Sequence, residues 1–191
     1  MTLTGTDGDD IIDGLSGDDV IDGRKGNDLL RGGAGGDTYL WNLGDGNDTI
    51  LDPVNGNEAN VLRFGEGVRA SMLTFRYDGD DLQIIVRGTE TITVAKWDDV
   101  ANHKLARIEF AGGSQMTAEE IDEIVGDYVL GTDGEDMLRG SVGRHRTLVG
   151  GKGDDILYGS NGGQTYVWNL GDGNDTIMNI KLLTPITGVP I

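Results

Sequence analysis

From Gly5 onward the chain repeats itself every nine residues. Five units follow one another: GTDGDDIID, GLSGDDVID, GRKGNDLLR, GGAGGDTYL and, after the two extra residues Trp41 and Asn42, LGDGNDTIL. Each has glycine at its fourth place, aspartate at its sixth and an apolar residue at its eighth. The pattern returns near the other end as GTDGEDMLR, a ten-residue unit GSVGRHRTLV, GGKGDDILY, GSNGGQTYV and, after Trp168 and Asn169, LGDGNDTIM. Asp10 recurs as Asp136 and Trp41 as Trp168, so a duplicated block has gained one residue inside the ten-residue unit.

Nine residues with one inward apolar position divide into a turn of six and a strand of three. Glycine serves the turn, where positive φ or close backbone approach is needed. So short a strand buries too little to stand alone, so successive units must stack into a coil of two parallel sheets. Each unit makes half a revolution, which places unit n beside unit n+2. Asp10, Asp28 and Asp48 are thereby stacked on one edge, and Asp19 and Asp37 on the other.

Stacked carboxylates repel, and at neutral pH protonation is a poor remedy for carboxyls of ordinary pKa. The composition points to the same difficulty: 33 acidic residues face 15 basic ones, a net charge of −18. Such a chain repels nucleic acid and anionic membranes, and its natural partner is a cation. With no cysteine there are no disulfides and no thiolate metal sites. Calcium takes six to eight oxygens and suits carboxylates combined with free carbonyls, whereas Mg²⁺ prefers fewer protein ligands and Zn²⁺ seeks His or Cys. The expected metal ligands are Asp10, Asp19, Asp28, Asp37, Asp48, Asp136, Asp155 and Asp175, with backbone carbonyls near Gly8, Gly17, Gly26, Gly35 and Gly153. About five interior Ca²⁺ sites follow, between Asp10 and Asp28, Asp19 and Asp37, Asp28 and Asp48, Asp136 and Asp155, and Asp155 and Asp175, with room for more at the roll ends.

The two strongest units, GGAGGDTYL and GGKGDDILY, fit every fixed place of G-G-x-G-x-D-x-U-x, the calcium-binding repeat of RTX proteins, and the arrays resemble that family. The stretch between them, with NVLRF, FRYDGDDLQIIV, TITVAKW and RIEFAGG, resembles the haemolysin-type calcium-binding-related domain that accompanies such arrays. The resemblance implies type I secretion and folding outside the cell, and brings toxins and adhesins into view as parent proteins. The expected fold is all-β: two parallel β-rolls flanking a small antiparallel sheet domain with one short helix. Its segments are 1–52, 53–127 and 128–191. In the middle segment NVLRF, MLTFRY, DLQIIV, TITVAKW and ARIEF read as strands, with DGDD at 78–81 as a turn. MTAEEIDEIV reads as a helix capped by Thr117 and Glu120, with Ile121, Ile124 and Val125 on one face.

The second array departs on one edge only. Asp136, Asp155 and Asp175 keep the acid, while His145 or Arg146 and then Gln164 replace it on the other edge. A guanidinium there supplies positive charge without a metal, so that edge is expected to be metal-free. His103 and His145 are too isolated for a zinc site. Asp80 and Asp81 read as turn residues, Glu109 as a solvated outer-face residue, and Trp41, Trp168 and Trp97 as packing residues. No Ser/His/Asp set, phosphate loop or basic patch is present, and no catalytic residue is assigned. No run of eighteen apolar residues marks a transmembrane segment.

The leading expectation is a calcium-binding module of a secreted exoprotein that folds on Ca²⁺ and has no catalytic activity of its own. The alternative is an adhesin or polysaccharide-binding module, using Trp41, Trp97 or Trp168 against a glycan. Possible partners besides calcium are therefore a cell-surface glycan or another domain of the parent.

Overall fold

The computed structural model describes residues 1–52, 59–97, 105–126, 128–140, 146–159 and 163–179. They form two compact units, Met1–Gly126 and Asp127–Ile191.

In the first unit the repeats wind as the spacing requires. Strands β1 (Thr2–Thr4), β3 (Val20–Asp22) and β5 (Thr38–Trp41) pair in parallel as one sheet, and β2 (Ile11–Asp13), β4 (Leu29–Arg31) and β6 (Thr49–Ile50) as the other. The eighth-place side chains Ile21, Leu30, Tyr39 and Ile50 are buried in the core. Fourth-place Gly17, Gly26, Gly35 and Gly46 all have φ between 104° and 136°, where other residues are strained.

The middle segment continues both sheets. Strand β7 (Val61–Phe64) pairs in parallel with β5, and β11 (Arg107–Phe110) in parallel with β7. Strand β10 (Glu90–Val94) pairs in parallel with β6 and antiparallel with β9 (Asp81–Val86), which in turn pairs antiparallel with β8 (Leu73–Asp78). Strand β12 (Gln115–Thr117) closes the first sheet antiparallel to β11. The antiparallel element is thus β8–β9–β10 with β11–β12, while β7, β10 and β11 carry the roll's parallel ladders through the change of texture near residue 53.

Two aromatic contacts seal this continuation. Trp41 meets Phe64 edge-on at 5.6 Å, and Phe64 stacks on Phe110 at 5.7 Å. Helix α1 (Ala118–Val125) begins with both hydrogen bonds of the expected capping box between Thr117 and Glu120. Ile121 is buried, but Ile124 is exposed, which corrects the three-residue apolar face. What fastens the helix is polar: Asp122 Oδ1 accepts from Tyr77 Oη and Trp97 Nε1, each at 2.7 Å.

The second unit repeats the roll with β13 (Tyr128–Leu130), β15 (Thr147–Val149) and β17 (Thr165–Val167) in one sheet and β14 (Met137–Arg139), β16 (Ile156–Gly159) and β18 (Thr176–Asn179) in the other, all pairs parallel. Val129, Leu148 and Leu157 form its buried core.

Candidate metal centre

The strand registers bring the sixth-place residues together as the half-turn geometry demands. Asp10 N donates to Asp28 Oδ1 at 2.8 Å, and Asp28 N to Asp48 Oδ1 at 2.9 Å. On the other edge Asp19 N donates to Asp37 Oδ1 at 2.8 Å. In the second unit Asp136 N reaches Asp155 Oδ1 at 2.9 Å, and Asp155 N reaches Asp175 Oδ1 at 3.1 Å. Asp28, Asp37, Asp48, Asp155 and Asp175 therefore each have one oxygen committed to the turn before, while Asp19 Oδ1 meets the N-terminal ammonium at 2.7 Å.

The other oxygen is the informative one. Asp19, Asp28, Asp37, Asp155 and Asp175 each leave Oδ2 buried without a hydrogen-bond donor among the described residues. A buried anion without donors is costly. Backbone carbonyl lies close by: a methyl group on Gly14 would stand 2.5 Å from Gly32 O and 2.7 Å from the donor-less Asp19 Oδ2, and at the start of the other stack one on Gly5 would stand 2.6 Å from Gly23 O and 2.7 Å from Asp10 Oδ2, which Thr6 already holds. The absent side chain leaves a cradle walled by oxygen. Carbonyls of Gly8, Gly17, Gly26 and Gly153 face the glycine two units on, at Gly26, Gly35, Gly46 and Gly173. The first-place carbonyls of Gly23, Gly32 and Gly150 were not in the expected ligand set. Their signal was the invariant first-place glycine of the stronger units, which leaves carbonyl and carboxylate room to approach.

Among the described residues no three His, Asp or Glu side chains gather closely enough to hold an ion by themselves. The donor set is carboxylate pairs plus main-chain oxygen, hard and oxygen-only, which fits Ca²⁺. His103 and His145 lie outside the described residues.

Electrostatics follow burial. Asp48 is pushed up to about 7, by desolvation first, opposed by the hydrogen bond from Asp28 and reinforced by the charge of Asp28. Asp37 is pushed up to about 6, again by desolvation first, with the hydrogen bond from Asp19 opposing and Asp52 reinforcing. Desolvation also raises Asp28 and Asp155. Asp10, at the start of its stack, is lowered instead, because Thr6 donates from its backbone N at 2.6 Å and from Oγ1 at 2.9 Å. Thr132 holds Asp136 in the same way, at 2.6 and 2.8 Å.

The edge of the second unit that lacks the acids is also placed. Thr147 pairs with Thr165, so Arg146, not His145, holds the sixth place opposite Gln164, and Arg146 is only 1% exposed. A buried guanidinium stands where the first unit has Asp19.

Two residues behave otherwise than expected, Glu109 and Trp168. Glu109 is not simply solvated: it receives Arg63 Nη2 at 2.8 Å and Arg107 Nη2 at 2.7 Å. Burial pushes its carboxyl up, but hydrogen bonds from Arg107 and Arg63 outweigh that and leave it lowered. Trp41 and Trp97 are buried and present no face to a sugar, whereas Trp168 is 57% exposed. Asp81 Oδ1 accepts from Lys96 N at 2.7 Å, a turn contact.

Comparison with known proteins agrees with this geometry. Residues 4–39 and 147–163 match the RTX calcium-binding nonapeptide repeat (4 copies), and residues 81–120 match the haemolysin-type calcium binding protein related domain. The chain is similar to the iron-regulated protein FrpA of Neisseria meningitidis serogroup C, with 31% identity over 123 residues, 61% of this chain and 11% of that protein's length. Among solved structures it is similar to the extracellular lipase LipA from Serratia marcescens, with 18% identity, 96% of this chain and 33% of that chain covered, and a TM-score of 0.25. No helix among the described residues is long and apolar enough to cross a membrane. The chain thus carries calcium-binding RTX nonapeptide repeats on either side of a haemolysin-type calcium-binding-related domain.

Proposed function

We propose that the chain is a calcium-gated folding module of a secreted exoprotein, organised as roll (1–52), sheet domain (53–127) and second roll (128–191), without catalysis of its own. The observation that carries this reading is the row of buried Oδ2 atoms with no donor. Asp10 with Asp28, Asp28 with Asp48, Asp19 with Asp37, Asp136 with Asp155 and Asp155 with Asp175 would hold Ca²⁺ together with the turn carbonyls. The residues orient and bind; the ion supplies the positive charge that the carboxylates lack.

Export follows from affinity. Extracellular calcium modules bind with dissociation constants of roughly 10⁻⁴ to 10⁻³ M, so weakly that they fill only where free calcium reaches that range. At ten times that constant each ion adds about 1.4 kcal/mol. Five together add roughly 7 kcal/mol, the size of a small domain's whole stability. Far-UV circular dichroism with calcium and with chelator tests the gating, and calorimetric titration tests the count. A fully folded spectrum in chelator at neutral pH sinks the proposal.

A further inference from the structure

The two carboxylate stacks of the first roll must stop where the sheet domain begins, and they stop differently. On the edge of Asp10, Asp28 and Asp48 the next residue in register is Ile92, fully buried. An apolar side chain offers no ligand and ends the stack passively. On the edge of Asp19 and Asp37 the next residue in register is Asn60, 1% exposed, followed by Ala106.

Asn60 copies half of an aspartate. Its Oδ1 accepts Asp37 N at 2.8 Å, as each carboxylate in the stack accepts from the layer before. Its second head atom is a donor, Nδ2, which reaches Asp52 Oδ2 at 2.7 Å. Asp52, 4% exposed, also receives Tyr39 Oη at 2.7 Å on Oδ2 and Gly33 N at 2.9 Å on Oδ1. Tyr39 Oη in turn accepts Gly32 N at 2.8 Å. In earlier units the first-place glycine N–H goes to a backbone carbonyl, Gly5 to Asp22 O and Gly14 to Arg31 O, each at 2.8 Å. The phenol therefore stands in for main chain of the ladder. Unlike the acids of the stack, Asp52 has donors on both oxygens, so its charge is met by hydrogen bonds and calls for no ion.

We propose that Tyr39, Asp52 and Asn60 form a metal-free stop: it ends calcium binding on this edge after the Asp19–Asp37 pair and fastens that pair to β7 of the sheet domain. This rests on the calcium reading above and deepens it. The device is particular to the first roll. The duplicated block writes Asn179 at the place of Asp52, and the hydroxyl of Tyr166, equivalent to Tyr39, is buried without a hydrogen-bond partner among the described residues.

Two variants of the full chain test the stop. Asn60→Asp puts an acceptor where Nδ2 stood, facing Asp52. One further Ca²⁺ per chain is expected by calorimetric titration, together with a melting temperature in chelator lowered by on the order of 5 °C. An unchanged ion count with a folded circular dichroism spectrum overturns the proposal. Should that variant fail to fold even in calcium, Tyr39→Phe decides. It removes the bridge from Gly32 to Asp52 without adding charge. The ion count should stay as in the wild type, while Trp41 emission, isolated by Trp97→Phe and Trp168→Phe in both the variant and its reference and reporting the β5–β7 contact, should change at a higher calcium concentration than the far-UV signal of the rolls. Coincident transitions for that variant, at the wild-type midpoint, overturn it. Loss of all calcium response in the wild type would instead sink the broader folding proposal.

Discussion

Asp28 sits between two neighbours with unlike ends: Oδ1 takes the N–H of Asp10 at 2.8 Å, while Oδ2 is buried with no donor among the described residues. It is the shared wall of two proposed sites. Asp28→Asn should therefore lower the calorimetric ion count by up to two, against one for Asp10→Asn. In saturating calcium the loss is about 3 kcal/mol for two sites. In chelator the same change should stabilise, since an amide there carries no uncompensated charge. Opposite signs in the two conditions are the test, read by denaturant melts; equal signs count against ion sharing.

Acid should substitute for calcium. Asp37 and Asp48 are raised to about 6 and about 7, above the ordinary carboxyl value that they regain on unfolding. For an acid raised by folding, the stabilising protonated form is fully present below the unfolded value and is lost as pH climbs through the folded one. The ion-free chain should thus melt higher at pH 5 than at pH 7.5. With calcium present the trend should reverse, because protons and ions compete for the same oxygens. A chelated protein whose melting temperature is flat across that range contradicts the assignment.

Arg146 is expected to matter equally with and without calcium. Arg146→Ala removes a buried cation and its packing, and should cost about 3 kcal/mol in both conditions. The pair Arg146→Asp with Gln164→Asp recreates the Asp19–Asp37 arrangement and should add one calcium to the titration. No gain in a variant that folds in calcium means the edge has lost more than its two acids.

Glycines divide by what lies where a side chain would go. Beside Gly14 stand Gly32 O and Asp19 Oδ2, whereas around Gly17, at φ 104°, there is open space. Gly17→Ala should cost about 1 kcal/mol through backbone strain alone. Gly14→Ala should also abolish one ion, visible as a lower count rather than only a lower melting temperature.

Much of this was legible in the residues, and the exceptions have a common cause. Units of constant length fix the register arithmetically, so Asp10 and Asp28, 18 residues apart, could be paired on paper. Asn60 lies 23 residues beyond Asp37, and β10 meets β6 across about twice that interval, so no period points to either. Alternation in VLRF and RIEF is the same whether a strand runs parallel or antiparallel, which hid the continuation of the roll through β7 and β11. Glu109 looked solvated because its partner Arg63 becomes adjacent only through that parallel pairing. Trp41 and Trp168 share a local sequence, yet the first is buried, with Phe64 of β7 against it, and the second is exposed.

The tryptophans give a direct comparison. Trp41→Ala should cost about 3 to 5 kcal/mol, the usual range for a buried aromatic, and Trp168→Ala well under that. Acrylamide quenching of the two single-Trp-removal variants should show the remaining Trp168 signal as the accessible one.

Successive layers on one edge of the roll are separated by two units, so an array of this kind can change length only in even steps. Excising a lone nonapeptide would carry every later strand across to the opposite sheet. Trp41 would then reach the junction on the side of β10 instead of β7, and its edge-on meeting with Phe64 would be lost. Losing or gaining two units together leaves that seam untouched. Parity, more than total length, is what descent of such a gene has to preserve.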